Sequence, residues 1–295
     1  MKPNEDSTAC PTPPASELPT PVVEARGIGK WYGPRAVLTD VNLTIRPGKV
    51  TCVIGPSGAG KTTLLRCIDL LTLIDHGEIF FKGAPVISAT ARTRNGIDGG
   101  GIIELLLRGK VSPVVVERQI SMQPHKYRQR VGMIFQDFNL WPTRSVRENL
   151  LLAPVHVDHA NAAAAEERAR QVLERVGLPG VLDRFPHQLS GGQRQRIAIA
   201  RALMMDCELL AADELTSALD PELIAEVLTV LRELAKGGTS MVIVTHHLEF
   251  AKDIADEIVM LDEGRVIEAG SADQVFGAPA EERTRRFVSA LAAAG

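Results

Sequence analysis

The chain has 295 residues, 45 % of them apolar and 23 % charged, which excludes an unfolded polar chain and leaves ample sequence for a buried core. A net charge of −3 and a pI near 6.2 supply no global basic field for nucleic acid. Cys10, Cys52, Cys67 and Cys207 show neither CxxC pairing nor the spacing of a disulfide framework, and no cleavable leader is apparent, so a reducing cytoplasm is expected.

In chain order, residues 1–20 carry Pro11, Pro13, Pro14 and Pro19 among Ser, Thr and Glu, and are expected to be a disordered tail before a folded unit over 21–295. The stretch VNLTI alternates as a half-buried strand, Pro47-Gly48 makes a turn, and KVTCVIG is a nearly continuous apolar strand of the kind covered on both faces. A helix over Lys61 to Leu71 then places Leu64, Leu65 and Ile68 on one face. Residues 88–126 read as a less regular insertion in which NGIDGGG gives a flexible turn. Its apolar run from Ile102 to Val116 holds Glu104, Arg108, Lys110 and Pro113, and is too polar to span a bilayer.

Next come the strand VGMIFQ and the helical stretches RENLLLAPV and AAAAEERARQVLERVG, the latter with Gly177 as its cap. Apolar strands return at LLAA and MVIVT. Between these two, PELIAEVLTVLRELAKGG is a helix with Asp220 as candidate N-cap, Pro221 first and Gly237 closing it. Alternating strands and helices of this kind build an α/β sheet.

The chemistry begins at GPSGAGKT, Gly55 to Thr62, between the strand KVTCVI and a helix. That context validates the G-x-x-x-x-G-K-[ST] pattern of a phosphate-binding loop. Gly55, Ser57, Gly58 and Gly60 let backbone N–H groups wrap phosphate oxygens, and the helix start at Thr62 and Thr63 adds positive potential. Lys61 then reaches the β and γ phosphates, and the Thr62 hydroxyl serves Mg²⁺. In the stretch ELLAADELTSALD a second apolar strand ends in two adjacent acids. Charge at the end of a core strand needs a partner, and a phosphate loop supplies one. Asp213 is therefore the expected metal partner and Glu214 the general base for the attacking water.

A third motif, LSGGQRQR at Leu189 to Arg196, joins these and the glutamine of IFQDFNLWP. Together they resemble the ATP-binding subunit of an ABC transporter over about residues 22–290. FNLWP and ERTRRFVSAL look like the polar amino acid uptake branch. The resemblance implies a P-loop NTPase, RecA-like core with an N-terminal antiparallel β subdomain and an inserted helical signature subdomain at 137–200. It implies ATP and Mg²⁺ as ligands, and a symmetric pair in which Ser190, Gly191, Gly192 and Gln193 face the phosphate loop of the second copy. On the same basis Tyr32 stacks on adenine, and Gln136 meets the metal or the attacking water. His246 contacts the γ phosphate, and Ser217 to Asp220 cross the dimer interface.

A chain that cannot span the bilayer needs separate transmembrane permease subunits, and this branch also uses an extracytoplasmic solute-binding protein, so the expected location is the cytoplasmic face of the membrane. Two other readings stay open. Nucleic-acid-processing ATPases share these motifs, but they usually carry a long coiled coil or a second cassette, and neither appears here. A regulatory cassette that binds ATP without turning it over is kept open by Leu215, which stands where the family pattern has proline. That proline biases Glu214 toward an extended conformation, so leucine is expected to cost only preorganisation. Cys207 also replaces a common proline, and residues 88–126 are unusually long, as an enlarged β subdomain or a partner contact.

Overall fold

The computed structural model describes residues 19–93, 114–215 and 219–292. The expected tail over most of 1–20, the NGIDGGG turn and the first two residues of the Ser217 to Asp220 loop lie outside the described residues.

Two sheets form the frame. The first is antiparallel, in the order β2-β1-β4-β5-β6, from β1 (Val23–Tyr32), β2 (Arg35–Ile45), β4 (His76–Phe81), β5 (Ala84–Thr93) and β6 (Val114–Ile120). The second runs β11-β10-β3-β9-β8-β7, from β3 (Val50–Ile54), β7 (Val131–Ile134), β8 (Leu209–Asp213), β9 (Met241–Val244), β10 (Glu257–Asp262) and β11 (Arg265–Gly270). It is parallel except for the β10–β11 hairpin.

Strands β3, β8 and β9 are buried at every residue, the burial their unbroken apolar runs predict. Alternate residues feed two cores, because successive side chains leave opposite faces of a strand. Val53, Leu209, Ala211 and Val242 pack with Leu64 and Leu65 of α1 (Lys61–Ile68) and with the antiparallel sheet. Cys52, Ile54, Leu210, Ala212 and Ile243 pack instead against helices on the other face. Those are chiefly α5 (Gly191–Leu203) and α6 (Pro221–Lys236). Leu64 and Leu65 have no exposed surface, and each contributes about 2 kcal/mol of burial.

The helical arm holds α3 (Val146–His156) and α4 (Ala162–Arg175). Ser145 and Glu148 form a capping box at the start of α3, which satisfies two otherwise orphaned backbone donors. Gly177 follows α4 at φ +69°, the left-handed cap expected of it.

Three local expectations are corrected. Helix α1 stops at Ile68 rather than Leu71, because Leu70 turns left-handed at φ +53°. The described parts of residues 88–126 are regular: β5 and β6 pair from Ile87–Ile120 to Thr93–Val114, and the short helix α2 (Pro124–Arg128) follows. Both strands belong to the antiparallel sheet, with β6 at its edge. Asp220 holds the N-cap backbone position of α6 but makes no side-chain cap bond, while Gly237 closes the helix as expected and Gly238 takes the left-handed turn after it. The remaining α-helices among the described residues are α7 (Leu248–Ile254) and α8 (Glu282–Ala292).

Candidate active site

The C-terminal ends of β3, β8 and β9 meet at one edge of the parallel sheet. Val53 and Asp213 both pair in register with Val244. A loop leaving β3 therefore lies beside an acid ending β8 and a histidine just past β9, the crevice where α/β sheets bind ligands.

The loop is glycine-dependent by contact. Gly55 has φ +148°, and a Cβ there would sit 1.9 Å from the Leu261 carbonyl oxygen of β10. Gly60 caps α1 at φ +104°, where a Cβ would meet the Val37 carbonyl at 2.8 Å. Ser57 and Gly58 are exposed at the tip, while Thr62 and Thr63 are half-buried in the first turn of α1.

Lys61 is almost entirely buried, and its Nζ donates to the Gly55 and Pro56 carbonyls at 2.9 and 3.0 Å. Burial pulls its pKa down, opposed by the nearby charges of Glu214 and Asp213. The buried ammonium is thus held against the loop's own carbonyls. Thr62 Oγ1 donates to Asp213 Oδ1 at 2.9 Å across 151 residues of sequence. Burial pushes the Asp213 pKa up, with the Thr62 hydrogen bond acting against it. One hydroxyl and one carboxylate are too few for an all-protein metal cage, and no cluster of three metal-ligating side chains exists among the described residues. Two hard oxygen donors beside a phosphate loop are what Mg²⁺ uses when substrate phosphates and water complete its shell. The donor set therefore fits that ion.

Glu214 follows directly. Its Oε1 lies 2.8 Å from His246 Nε2 and 3.8 Å from Lys61 Nζ. Against a carboxylate, Nε2 is the protonated ring nitrogen. Glu214 sits at φ +46°, left-handed, with its N–H bonded to the Val244 carbonyl at 3.0 Å. The extended conformation expected of it from the proline pattern is therefore not the one adopted. Leu215, 4 % exposed, anchors this turn in the core.

The other expected residues sit apart from this cluster. Tyr32 ends β1 and is 52 % exposed, so it is free to stack and is not a core tyrosine. Gln136 is exposed in the turn after β7, one strand beyond Asp213. Ser190 caps α5: its Oγ accepts from the Gln193 N–H at 3.2 Å, and the Gln193 side chain accepts from the Ser190 N–H at 3.1 Å. A Cβ on Gly191 would lie 3.0 Å from Leu219, just before α6, and one on Gly192 would lie 3.1 Å from Leu223 of α6, so the two glycines let α6 and the residue leading into it approach α5 closely.

Two arginines escaped the sequence reading. Arg194 lies 5.1 Å from the Phe138 ring and Arg201 5.2 Å from that of Trp141; Arg201 also donates to the Asn139 carbonyl at 2.6 Å. Burial lowers the Arg201 pKa. Their seven-residue spacing, two helical turns on one face, was the available signal. They tie the segment after Gln136 to the helix that Ser190 begins.

The family model described as ABC transporter matches residues 38–217. The chain belongs to the ABC transporter family. This ABC cassette is an ATPase with a P-loop NTPase fold, and its family couples such subunits to membrane-embedded partners. It is 42 % identical to the arginine transport ATP-binding protein ArgV of Corynebacterium glutamicum, over 92 % of this chain and 98 % of that one. With the glutamine transport ATP-binding protein GlnQ of Bacillus subtilis it shares 41 % identity, over 92 % and 99 % of the two chains. Among solved structures it resembles a dimeric ATP-binding cassette in a post-hydrolysis state with ADP and Pi. That match has a TM-score of 0.65 and 28 % identity, and covers 85 % of this chain and 98 % of the other. No helix among the described residues is long and apolar enough to cross a membrane.

Proposed function

We propose that this chain is the ATP-hydrolysing subunit of an amino acid importer, acting as one of two paired cassettes at the cytoplasmic face of the membrane beneath permease subunits. The observation that carries the reading is the convergence at the phosphate loop of the Thr62–Asp213 and His246–Glu214 hydrogen bonds with Lys61, which lies within ion-pair distance of Glu214. The amino acid is supported by relatives named for arginine, glutamine, cystine and glutamate/aspartate transport.

In this mechanism the loop N–H groups and Lys61 hold the β and γ phosphates. Thr62 and Asp213, with Gln136, would hold Mg²⁺, which when bound neutralises charge developing on the transferred phosphoryl group. Glu214 takes a proton from the attacking water, while His246 fixes that carboxylate and contacts the γ phosphate. Tyr32 stacks on adenine. Ser190 to Gln193 of a second copy close the site, since a capped helix start presents N–H groups and a positive dipole to phosphate. Closure is passed to the permease through the Phe138 to Trp141 segment, which Arg194 and Arg201 clamp to α5. Residues 21–295 act as one cassette, with 137–200 as its moving arm.

Co-reconstitution in liposomes with the cognate permease and solute-binding protein tests this. ATP-driven uptake of arginine, glutamine, cystine or glutamate is expected. ATPase activity stimulated by nucleic acid, with no uptake of any of them, would contradict it.

A further inference from the structure

The β6 edge of the antiparallel sheet contributes to a charge network that the reaction does not use. Asp75, just before β4, is 5 % exposed and gathers donors from three places. Lys30 Nζ lies 3.2 and 3.1 Å from its two oxygens, the Trp31 N–H donates to Oδ2 at 2.9 Å, and Arg118 of β6 pairs with Oδ1. Arg118 Nε also donates to the Ile74 carbonyl at 2.8 Å, and the Asp75 N–H donates to the Gly29 carbonyl at 2.9 Å.

Two features make this more than a surface pair. First, Arg118 crosses the sheet. It stands opposite Ala89 of β5, which stands opposite Gly77 of β4. Residues in register share a face, and these two small ones leave room for a long side chain to reach Asp75. Second, the network ends at the nucleotide aromatic. Lys30 Nζ, besides binding Asp75 and the Leu73 carbonyl, lies 5.4 Å from the centroid of the Tyr32 ring. Asp75 thus fixes the backbone at Trp31 and the cation beside Tyr32, and Arg118 is the contact that β6 makes with Asp75.

We infer that Arg118 is a positioning residue for the nucleotide base, acting through Asp75 and Lys30 on the end of β1 that displays Tyr32. The inference rests on the proposed stacking role of Tyr32. Removing Arg118 leaves a buried carboxylate short of one donor, so Lys30 and the Trp31 N–H must re-satisfy it, and Tyr32 loses its fixed setting. The phosphate loop, in the other sheet, keeps its own contacts. Base affinity and phosphate affinity should therefore separate.

Titration of the full chain with Mg-ATP and with inorganic tripolyphosphate tests this, using Arg118→Met, Arg118→Lys, Tyr32→Ala and the Arg118→Met/Tyr32→Ala double variant. Tyr32→Ala should weaken ATP about tenfold, by loss of base stacking. Arg118→Met should weaken it about fivefold, the range of a displaced cation–π and stacking contact. Neither should change tripolyphosphate binding. The double variant should bind ATP no more weakly than Tyr32→Ala alone, and Arg118→Lys should recover part of the loss. If Tyr32→Ala weakens ATP while Arg118→Met does not, the positioning role is overturned and the stacking reading survives. Unchanged ATP affinity in Tyr32→Ala removes both. Equal losses for ATP and tripolyphosphate, with a lowered Tm, would make Arg118 only a structural staple and overturn the proposal.

Discussion

The helix that carries the phosphate loop ends in a buried acid, and replacing it should change how stability depends on pH. Asp69, at the C-cap of α1, is 2 % exposed, and its Oδ1 has no hydrogen-bond partner. Burial raises its pKa from 3.8 to about 7, with Arg128 opposing the rise. Because the folded pKa lies above the unfolded one, the folded chain keeps a proton that the unfolded chain releases from about pH 4 upward. Stability is therefore greatest below that pH, falls as pH rises toward 7, and levels off above it. A shift of roughly three units corresponds to about 4 kcal/mol in full, of which about 2.5 kcal/mol falls between pH 5 and pH 8. Asp69→Asn removes the titration. Its amide adds an offset of about 1–3 kcal/mol if a polar atom stays unpaired, but that offset does not vary with pH. Urea unfolding of both proteins at pH 5 and pH 8 isolates the effect: the variant should gain about 2.5 kcal/mol relative to wild type on going to pH 8. A difference that does not change with pH would refute the argument.

Three further outcomes follow from the site and its supports. Lys61→Met should cut Mg-ATP affinity at least about 100-fold, the scale of a desolvated cation on phosphate, yet alter the Tm by little, because the lost hydrogen bonds to Gly55 and Pro56 are offset by removal of a buried charge. Leu215→Pro should destabilise by at least about 2 kcal/mol in urea unfolding, since it deletes a core side chain and conflicts with the left-handed Glu214. A stabler variant with faster turnover would contradict that geometry. Trp141→Ala, which loosens the Arg201 contact, should keep the ATPase rate of the isolated chain within about threefold, as expected for a residue outside the chemistry, while reducing ATP-driven uptake in the assembled transporter.

The phosphate loop was legible because its chemistry demands glycines, a lysine and a threonine at fixed spacing in one stretch, and Asp213 and Glu214 because acids ending an apolar run need a partner. The frame was read less fully. Strands β1 and β4 interrupt their apolar pattern with charge or glycine and pair with each other across the intervening elements, and Leu70 turns left-handed with no glycine to announce it. The Asp75 network joins residues 43 to 45 positions apart, and no local pattern encodes such a pairing. The left-handed Glu214 ran against the reading built on the missing proline. Its conformation comes from the Val244 hydrogen bond and the burial of Leu215, both tertiary.

The most direct test of the hydrolytic site is phosphate release by Glu214→Gln beside wild type, with ATP binding and dimer formation measured on the same samples. The substitution keeps the loop, Lys61 and the Thr62–Asp213 pair, but the amide it introduces cannot take a proton from water. The account predicts normal Mg-ATP binding, an ATP-dependent dimer that persists, and phosphate release slowed at least about 100-fold, the lower end for loss of a general base. Release at the wild-type rate would contradict it.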